Sequence, residues 1–353
     1  MSKEEKRNSI FVCGGGHQGL SMAAHLALNG CNVTLWNRTP EHIQHIINTK
    51  TIFCSGVVNG NAKIKQASSN LSEVFSDVVM VTAPSSAHKD IATEIAPYVS
   101  ADSVIVLNPG RTFGAIEFAE TLKKCGVRTL PHIAETQTIV YTCRRAGDDS
   151  VNIYALKQNV GIAAIKGSNI EYILSRIPKC LSKYFDKKDS VGETSLSNVG
   201  MILHCAPVLM NIGWIESDEA DFKYYYDGIS KSIASYLEKL DYERVNVSRA
   251  FGYNVESVLE WMKRIYSTDG NDLYNCIRNN LSYRHIDAPK TLKNRYIFED
   301  VPNGLVPIEA LGKLCGISTG NITTIIDLAN SVMETDFRKK GRRYSLNILN
   351  QYL

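Results

Sequence analysis

Two groupings in this chain of 353 residues bring together residue types able to do chemistry. The first is Ile10-Phe11-Val12-Cys13-Gly14-Gly15-Gly16-His17-Gln18-Gly19, an apolar run that ends in glycines and opens into an alanine-rich helical stretch at residues 21–29. This is G-x-G-x-x-G set between a strand and a helix. Gly14 allows the tight turn, Gly16 lets a pyrophosphate approach the backbone, and Gly19 lets the helix lie close to the strand. The helix start, with Gly15, His17 and Gln18 beside it, offers N–H groups and a positive dipole end to phosphates. A glycine-rich turn without a ligand is the alternative, and the strand–turn–helix context weighs against it.

A further apolar run, Asn32-Val33-Thr34-Leu35-Trp36, ends at Asn37-Arg38-Thr39. A dinucleotide fold places its ribose-reading residue about 20 positions beyond the glycines, and an NAD site has an acid there. A carboxylate would repel a 2′-phosphate, whereas the guanidinium of Arg38 can grip one in a bidentate fork. These residues point to NADP(H) ahead of NAD(H). A solvated Arg38 with NAD(H) as cofactor is the other reading.

The second grouping could move protons. Reducing a C=O or C=N bond by hydride also requires a proton donor, and histidine is the usual one near neutral pH. Of the eight histidines, His42, His45 and His88 read as helix-face or loop residues, His17 sits in the glycine turn, and His25 lies in the alanine-rich helix. His204 differs. It lies in Met201-Ile202-Leu203-His204-Cys205-Ala206-Pro207-Val208-Leu209-Met210, where the only other titratable group is a cysteine. A buried histidine needs a hydrogen-bond partner. An apolar setting disfavours the imidazolium unless a carboxylate counters it. Candidates stand in Arg295-Tyr296-Ile297-Phe298-Glu299-Asp300-Val301-Pro302-Asn303-Gly304, a guanidinium and then two acids before a turn. Composition alone leaves His204 open between a satisfied core histidine and a catalytic one.

The elements that must position these residues fall into two parts, as the length suggests. Up to about residue 126, strand and helix signals alternate. Strands are expected at 32–36, 51–54, 61–67, 78–82 and 103–107, and helices at 41–48, 87–95 and 115–125. This is the pattern of a parallel sheet covered by helices on both faces. Ligands on such sheets bind beyond the carboxyl ends of strands, which puts Ala83-Pro84-Ser85 and Asn108-Pro109-Gly110 near a cofactor. Plain turn chemistry accounts for them equally well. Residues 138–144, 151–156 and 160–165 read as strands extending the first sheet. The lysine-rich stretch 178–190 marks the boundary, giving a dinucleotide-binding domain at 1–188 and a helical domain at 189–353. In the latter, a helix over 194–203 is expected to break near Pro207. Ile229, Ile233, Leu237, Leu240, Val247 and Phe251 recur at helical spacing before Gly252. Helices at 255–266, from Pro307 to Gly316, and at 322–333 complete it, and the basic run 338–343 reads as a solvated turn. The fold class is therefore α/β, a doubly wound Rossmann-type domain followed by an all-α domain, with substrate expected in the cleft between them.

Bulk properties exclude other classes. With 44% hydrophobic and 21% charged residues, the chain is of the ordinary globular type. A net charge of +3 is too small to argue for a nucleic-acid partner. Residues 1–7 lack the apolar core of a signal peptide, and no apolar run approaches membrane-spanning length. The nine cysteines are scattered, without metal-type spacing. An odd, scattered set fits reduced thiols in a cytoplasm, so the expectation is a cytoplasmic protein without metal, membrane or nucleic acid.

Nearly end to end, the sequence resembles the opine dehydrogenase family, also called the octopine/nopaline dehydrogenase family. The resemblance is carried in the first part by the glycine motif, Leu107-Asn108-Pro109-Gly110, and Glu135-Thr136 with Thr142-Cys143-Arg144. In the second part it is carried by Ser195-Leu196-Ser197-Asn198, His204 with Pro207, Tyr224-Tyr225, Leu240-Asp241 with Glu243-Arg244, and Tyr283-Arg284. Arg295-Tyr296 with Glu299-Asp300, Gly304-Leu305-Val306-Pro307 and Thr335-Asp336-Phe337-Arg338 complete it. The resemblance implies reductive condensation: an amino acid adds to an α-keto acid, water leaves, and hydride reduces the imine to an N-(carboxyalkyl)amino acid. It implies that His204 is the catalytic histidine, Asp300 the acid that orients it, and Arg295 a partner for a substrate carboxylate. Asn198 and Tyr225 would line the substrate site. Gly14 to Gly19, Asn37, Arg38, Thr39, Ala83, Pro84, Asn108 and Glu135 would serve the cofactor. Several relatives have an acid where Asn37 stands, which again favours NADP(H). Partners are then small-molecule α-keto acid and amino acid substrates, with a homodimer entertained. Two rivals stay open: a ketone or imine reductase of the glycerol-3-phosphate-dehydrogenase-like superfamily that needs no amine, and a non-catalytic NADP(H)-sensing protein.

Overall fold

Runs rich in valine and isoleucine, too short for helices, make the centre of the first unit. The computed structural model describes residues 9–219 and 221–353 and forms two units, Met1–Thr194 with Gln351–Leu353, and Ser195–Asn350. In the first, strands β1 (Ser9–Cys13), β2 (Asn32–Trp36), β3 (Thr51–Gly56), β4 (Gly60–Lys63), β5 (Gln66–Ser68) and β6 (Val78–Val81) are followed by β7 (Val104–Leu107) and β8 (His132–Thr136). Then come β9 (Tyr141–Arg145), β10 (Ser150–Leu156), β11 (Val160–Ala164) and β12 (Phe185–Lys187). The main sheet runs β12-β11-β8-β7-β6-β1-β2-β5. From β5 to β8 every pairing is parallel. Counted along the chain, these six strands have the order 3-2-1-4-5-6 of a dinucleotide fold. Strands β1, β6 and β7 are buried at every position, as a sheet covered on both faces requires.

Two strand expectations are corrected. Residues 61–67 are not one strand: β4 belongs to a second sheet, of order β4-β3-β10-β9, and β5 to the main one. Likewise β9 and β10 do not extend the main sheet but complete this second one, and only β11 returns to the main sheet, antiparallel to β8. The physical reason is the helix His17–Leu28. Tyr141 and Cys143 of β9, Val151 and Ile153 of β10, and Ile52 and Cys54 of β3 are buried in one core with Leu20, Ala23, Ala24 and Leu26 of that helix. Alternating burial in a strand says that one face is covered, not which sheet it joins.

The second unit is helical, with one isolated bridge, Lys223 to Asp287, outside the named strands. The helix Lys231–Ala250 starts at Ser230, whose side chain accepts from Ile233 N–H, and ends before Gly252 at φ +83°. Val258–Tyr266 opens with a capping box between Ser257 and Glu260. The expected break at Pro207 is displaced. The helices are Val191–Leu196 and Gly200–Met210, and Pro207 lies inside the second. A proline there leaves the carbonyl four residues earlier without its helical donor. Tyr224 supplies one instead, its hydroxyl donating to Leu203 O at 3.3 Å and to His204 O at 2.7 Å. Burial, with Tyr296 and Tyr225 beside it, holds that hydroxyl protonated well above its usual range.

The basic run is corrected in part: Lys339, Lys340 and Arg343 are exposed as expected, and Arg338 and Arg342 are not. Arg338 donates to both oxygens of buried Glu309, at 2.7 Å each, and to Asp327 at 2.5 Å, while Arg342 is buried. No helix among the described residues is long and apolar enough to cross a membrane.

Candidate active site

In the first unit the glycine turn sits at the carboxyl end of β1. Gly14 has φ +120°, a conformation open to glycine. A Cβ at Gly19 would fall 1.6 Å from Gly14 O, so no other residue lets the helix His17–Leu28 start this close to the strand. At Gly16 a Cβ would meet nothing within 4 Å, and this N-cap position has no side-chain cap. The cradle thus has open space over the start of a twelve-residue helix, the arrangement a pyrophosphate requires. These residues fit a dinucleotide.

Around the turn, Asn37 Oδ1 accepts from Gly15 N–H at 3.0 Å and its Nδ2 donates to Thr39 O at 2.7 Å. Arg38 is largely exposed, with a long 3.4 Å contact to exposed Asp90. Ala83 lies against Gly14, whose Cβ would be 3.0 Å from Ala83 N, and Pro84 precedes the 3-10 turn Ser85–Ala87. Asn108 and Glu135 are internal. Asn108 Nδ2 donates to Val106 O at 2.9 Å. Glu135 accepts from Ala115 N–H at 2.9 Å and from Thr194 Oγ1 at 3.1 Å. Both support the Asn108–Gly110 turn from behind. His17 is exposed, and its Nδ1 accepts from Arg145 N–H at 2.6 Å. Gln18 Oε1 accepts from Cys143 Sγ at 3.4 Å.

In the second unit the histidine meets an acid 96 positions away. His204 Nδ1 and Asp300 Oδ2 are 2.7 Å apart, with Asp300 fully buried and the imidazole 12% exposed. Three local features bring them together. Asn294 caps the short helix Arg295–Phe298 by accepting from Tyr296 N–H at 2.9 Å. The chain then makes a π-type turn, Val301–Leu305. Gly304 in that turn lies so close to the Gly200–Met210 helix that a Cβ would be 2.6 Å from Met201 Cβ. The Tyr296 ring stacks on His204, centroids 4.0 Å apart and planes at 15°. Imidazole is therefore held by a carboxylate at one nitrogen and a π face on its flat side.

Arg295 side chain is 53% exposed and 3.5 Å from Glu299 Oε2. Asn198 is buried, its Oδ1 accepting from Gly200 N–H at 3.2 Å. Tyr225 is buried and stacks on Tyr283 with centroids 4.0 Å apart. Tyr224 touches both Tyr225 and Tyr296, linking them to the dyad. Reasoning from spacing missed the parts of Tyr296 and Tyr224. The signals were adjacency to Arg295 and a carbonyl freed by Pro207.

A dinucleotide-type sheet unit with a glycine cradle and a helical unit with a buried acid–histidine pair define the class: a two-domain, dinucleotide-dependent oxidoreductase. Comparison with known proteins narrows it. Residues 187–333 match the family model described as NAD/NADP octopine/nopaline dehydrogenase, alpha-helical domain, and residues 10–109 match that of ketopantoate reductase PanE/ApbA. An opine dehydrogenase of Arthrobacter sp. (strain 1C) is 36% identical over 334 residues, covering 94% of this chain and 92% of that one. The solved octopine dehydrogenase with NADH and L-arginine superposes with a TM-score of 0.75 at 20% identity, covering 92% of this chain and 89% of that one. Yersinopine dehydrogenase with NADP+ gives 0.73 at 12% identity over 97% and 95%. The chain belongs to the opine dehydrogenase family and is an NAD(P)-dependent oxidoreductase acting on CH–NH bonds, forming them by reductive condensation of an amino acid with a keto acid.

Proposed function

We propose that the His204–Asp300 pair is the proton-transfer centre of this reaction, that Arg295 takes a substrate carboxylate, and that NADPH is preferred over NADH. The observation that carries the reading is the 2.7 Å contact between a fully buried aspartate and an imidazole that keeps an exposed edge. Asp300 fixes the ring's orientation and balances its positive charge, as an acid does for a catalytic histidine. His204 gives a proton to the hydroxyl that departs as water when amine and keto acid condense. The amine nitrogen keeps its own N–H as water leaves, so the imine forms in its protonated state and its carbon is electrophilic toward hydride. Bound at the glycine cradle, the nicotinamide dinucleotide supplies the hydride. Arg295, whose side chain is 53% exposed, is suited to a planar carboxylate. Asn198 and Tyr225, both buried, are the residues proposed to line the substrate site.

The cofactor preference rests on Arg38. Its contact with Asp90 is long and exposed, so it is worth little and yields readily to a 2′-phosphate. Asn37, having no charge, does not repel that phosphate. The substrates proposed are pyruvate or a similar keto acid with an amino acid or amine, in a soluble cytoplasmic enzyme.

A spectrophotometric grid of keto acids against amines, run with NADPH and NADH, tests the reading. Expected is oxidation of NADPH that depends on the amine. Reduction of a keto acid at the same rate without amine would make the protein a plain ketone reductase, and no turnover in any cell would make it a sensor. Arg38→Ala, run on the same grid, should raise KM for NADPH about tenfold or more, as loss of a charge-assisted bond does, and leave NADH nearly unchanged. A wild type that binds NADH more tightly than NADPH would overturn the cofactor preference.

A further inference from the structure

Arg145, the last residue of β9, has no part in the chemistry above, yet it reaches three pieces of the cofactor cradle. Its side chain is 20% exposed, and its nearest carboxylate, Asp148, stands 3.9 Å away. The guanidinium is spent on main-chain carbonyls instead. Nε donates to Gly147 O at 2.7 Å, and Nη2 donates to Asp148 O at 2.5 Å, both in its own turn. The other two acceptors are distant in sequence: Nη1 donates to Gly15 O at 3.3 Å and Nη2 to His42 O at 2.5 Å. The Arg145 main-chain N–H donates to His17 Nδ1 at 2.6 Å. One residue thus touches the glycine turn, the first residue of the helix behind it, and the 3-10 turn Pro40–Ile43 that follows β2.

Gly15 is gripped from both sides. Asn37 accepts from its N–H, and Arg145 donates to its C=O. The start of the helix, the end that would face a pyrophosphate, follows directly on Gly15. Its placement depends on Gly15 staying where it is. Cys143 of the same strand adds a second hold, donating to His17 O and Gln18 Oε1, each at 3.4 Å. His45 and Asp149, at 2.6 Å, pin the far side of the β9–β10 turn next to Pro40–Ile43.

We propose that Arg145 is a positioning residue for the dinucleotide. It fixes the spacing between the glycine turn and the turn after β2, so that the cradle is formed before the cofactor arrives. Without the clamp, binding must order these turns, and affinity falls by that cost. A planar fork with five donors can hold carbonyls in several directions at once, and a lysine ammonium cannot reproduce it. Because none of the clamp's acceptors lies at the 2′-position reader Arg38, NADPH and NADH should lose affinity together. That separates Arg145 from Arg38, whose loss should act on NADPH.

The test uses the full chain with Arg145→Met and Arg145→Lys. Dissociation constants for NADPH and NADH are read by intrinsic fluorescence, with the melting temperature of the cofactor-free protein and kcat at saturating cofactor. For Arg145→Met both dissociation constants should rise about tenfold or more, as loss of charge-assisted bonds does. kcat at saturation should stay within about twofold, since the clamp touches no reacting group. Arg145→Lys should fall between wild type and the methionine variant. If Arg145→Met does not fold, the lysine variant decides by its own dissociation constants. Dissociation constants within about twofold of wild type would overturn the proposal, whether or not the melting temperature drops, because Arg145 would then be a brace of the fold alone. A fall in kcat at saturating cofactor with affinity unchanged would overturn it too.

Discussion

Asp241 and Asp300 are both buried aspartates of the helical unit, each bonded to one basic side chain, and they differ in what that partner can do next. Arg244 meets Asp241 Oδ1 at 2.8 Å through Nε, and its remaining nitrogens end on Leu196 O and Glu256 O at 2.6 Å each. Asp241 Oδ2 is taken by Val258 N–H at 2.6 Å. Arg244 is wholly buried, and a guanidinium is a donor that keeps its protons in proteins. This pair joins the helices Val191–Leu196, Lys231–Ala250 and Val258–Tyr266, and its basic member is fully buried and bonded through all three nitrogens. Asp300 has instead a histidine, the residue type suited to proton transfer near neutral pH, and its ring keeps 12% of its surface open. The contrast shows that burial of an ion pair is not itself a mark of chemistry. The proposed centre differs in having a partner able to gain and lose a proton and a partly exposed ring.

The largest effect that could break this comparison is on the Asp241 side. Arg244→Met leaves a buried carboxylate uncompensated, a loss of about 3–5 kcal/mol. Urea unfolding should show a large fall in midpoint, while the protein that remains folded keeps wild-type kcat. A midpoint equal to wild type would mean that the pair is not a clamp.

A smaller effect sharpens the point, because one structural pair in this unit does contain a titratable group. Burial pushes the Glu309 carboxyl up, but hydrogen bonds from Arg338, Thr323 and Lys313 outweigh it and bring it from 4.5 down to about 2. A folded-state value below the unfolded one contributes stability above pH 4.5 that is lost as pH falls toward 2. Wild type should therefore be more stable than Glu309→Gln at neutral pH by about 1–3 kcal/mol. The gap should close between pH 4.5 and 2 in denaturation curves taken across that range. A gap that is constant with pH would show that Glu309 does not titrate with folding.

What could be read in the sequence follows from how local each cause is. The glycine turn is legible because three glycines within six positions carry its geometry. The parallel sheet is legible because β1, β6 and β7 are short apolar runs between helices. The assignment of β9 and β10 failed, since a strand's periodicity does not say which sheet will pair with it. The break expected at Pro207 failed because its remedy, the Tyr224 hydroxyl, lies elsewhere in the chain. Spacing could not join His204 to Asp300. Only the resemblance to a family placed both in one site, and in the structure they are hydrogen-bonded. Arg145 was invisible because it acts on carbonyl oxygens, which every residue has. In the basic run 338–343 the exposed Lys339, Lys340 and Arg343 fit the expectation, and Arg338 does not, because composition shows charge and not the buried Glu309 that takes it.

The central claim is that His204 and Asp300 work as one unit, and a double-mutant cycle on turnover tests it most directly. His204→Ala, Asp300→Ala and the double variant would be assayed at saturating NADPH with an amine and keto acid pair from the grid, with cofactor affinity followed by fluorescence. Each single variant should lose about 10²–10⁴ in kcat, the usual worth of a positioned acid–base group, with cofactor affinity nearly unchanged. Because the two act together, the double variant should be little worse than His204→Ala alone. Losses that multiply in full, or wild-type turnover in His204→Ala, would contradict the account.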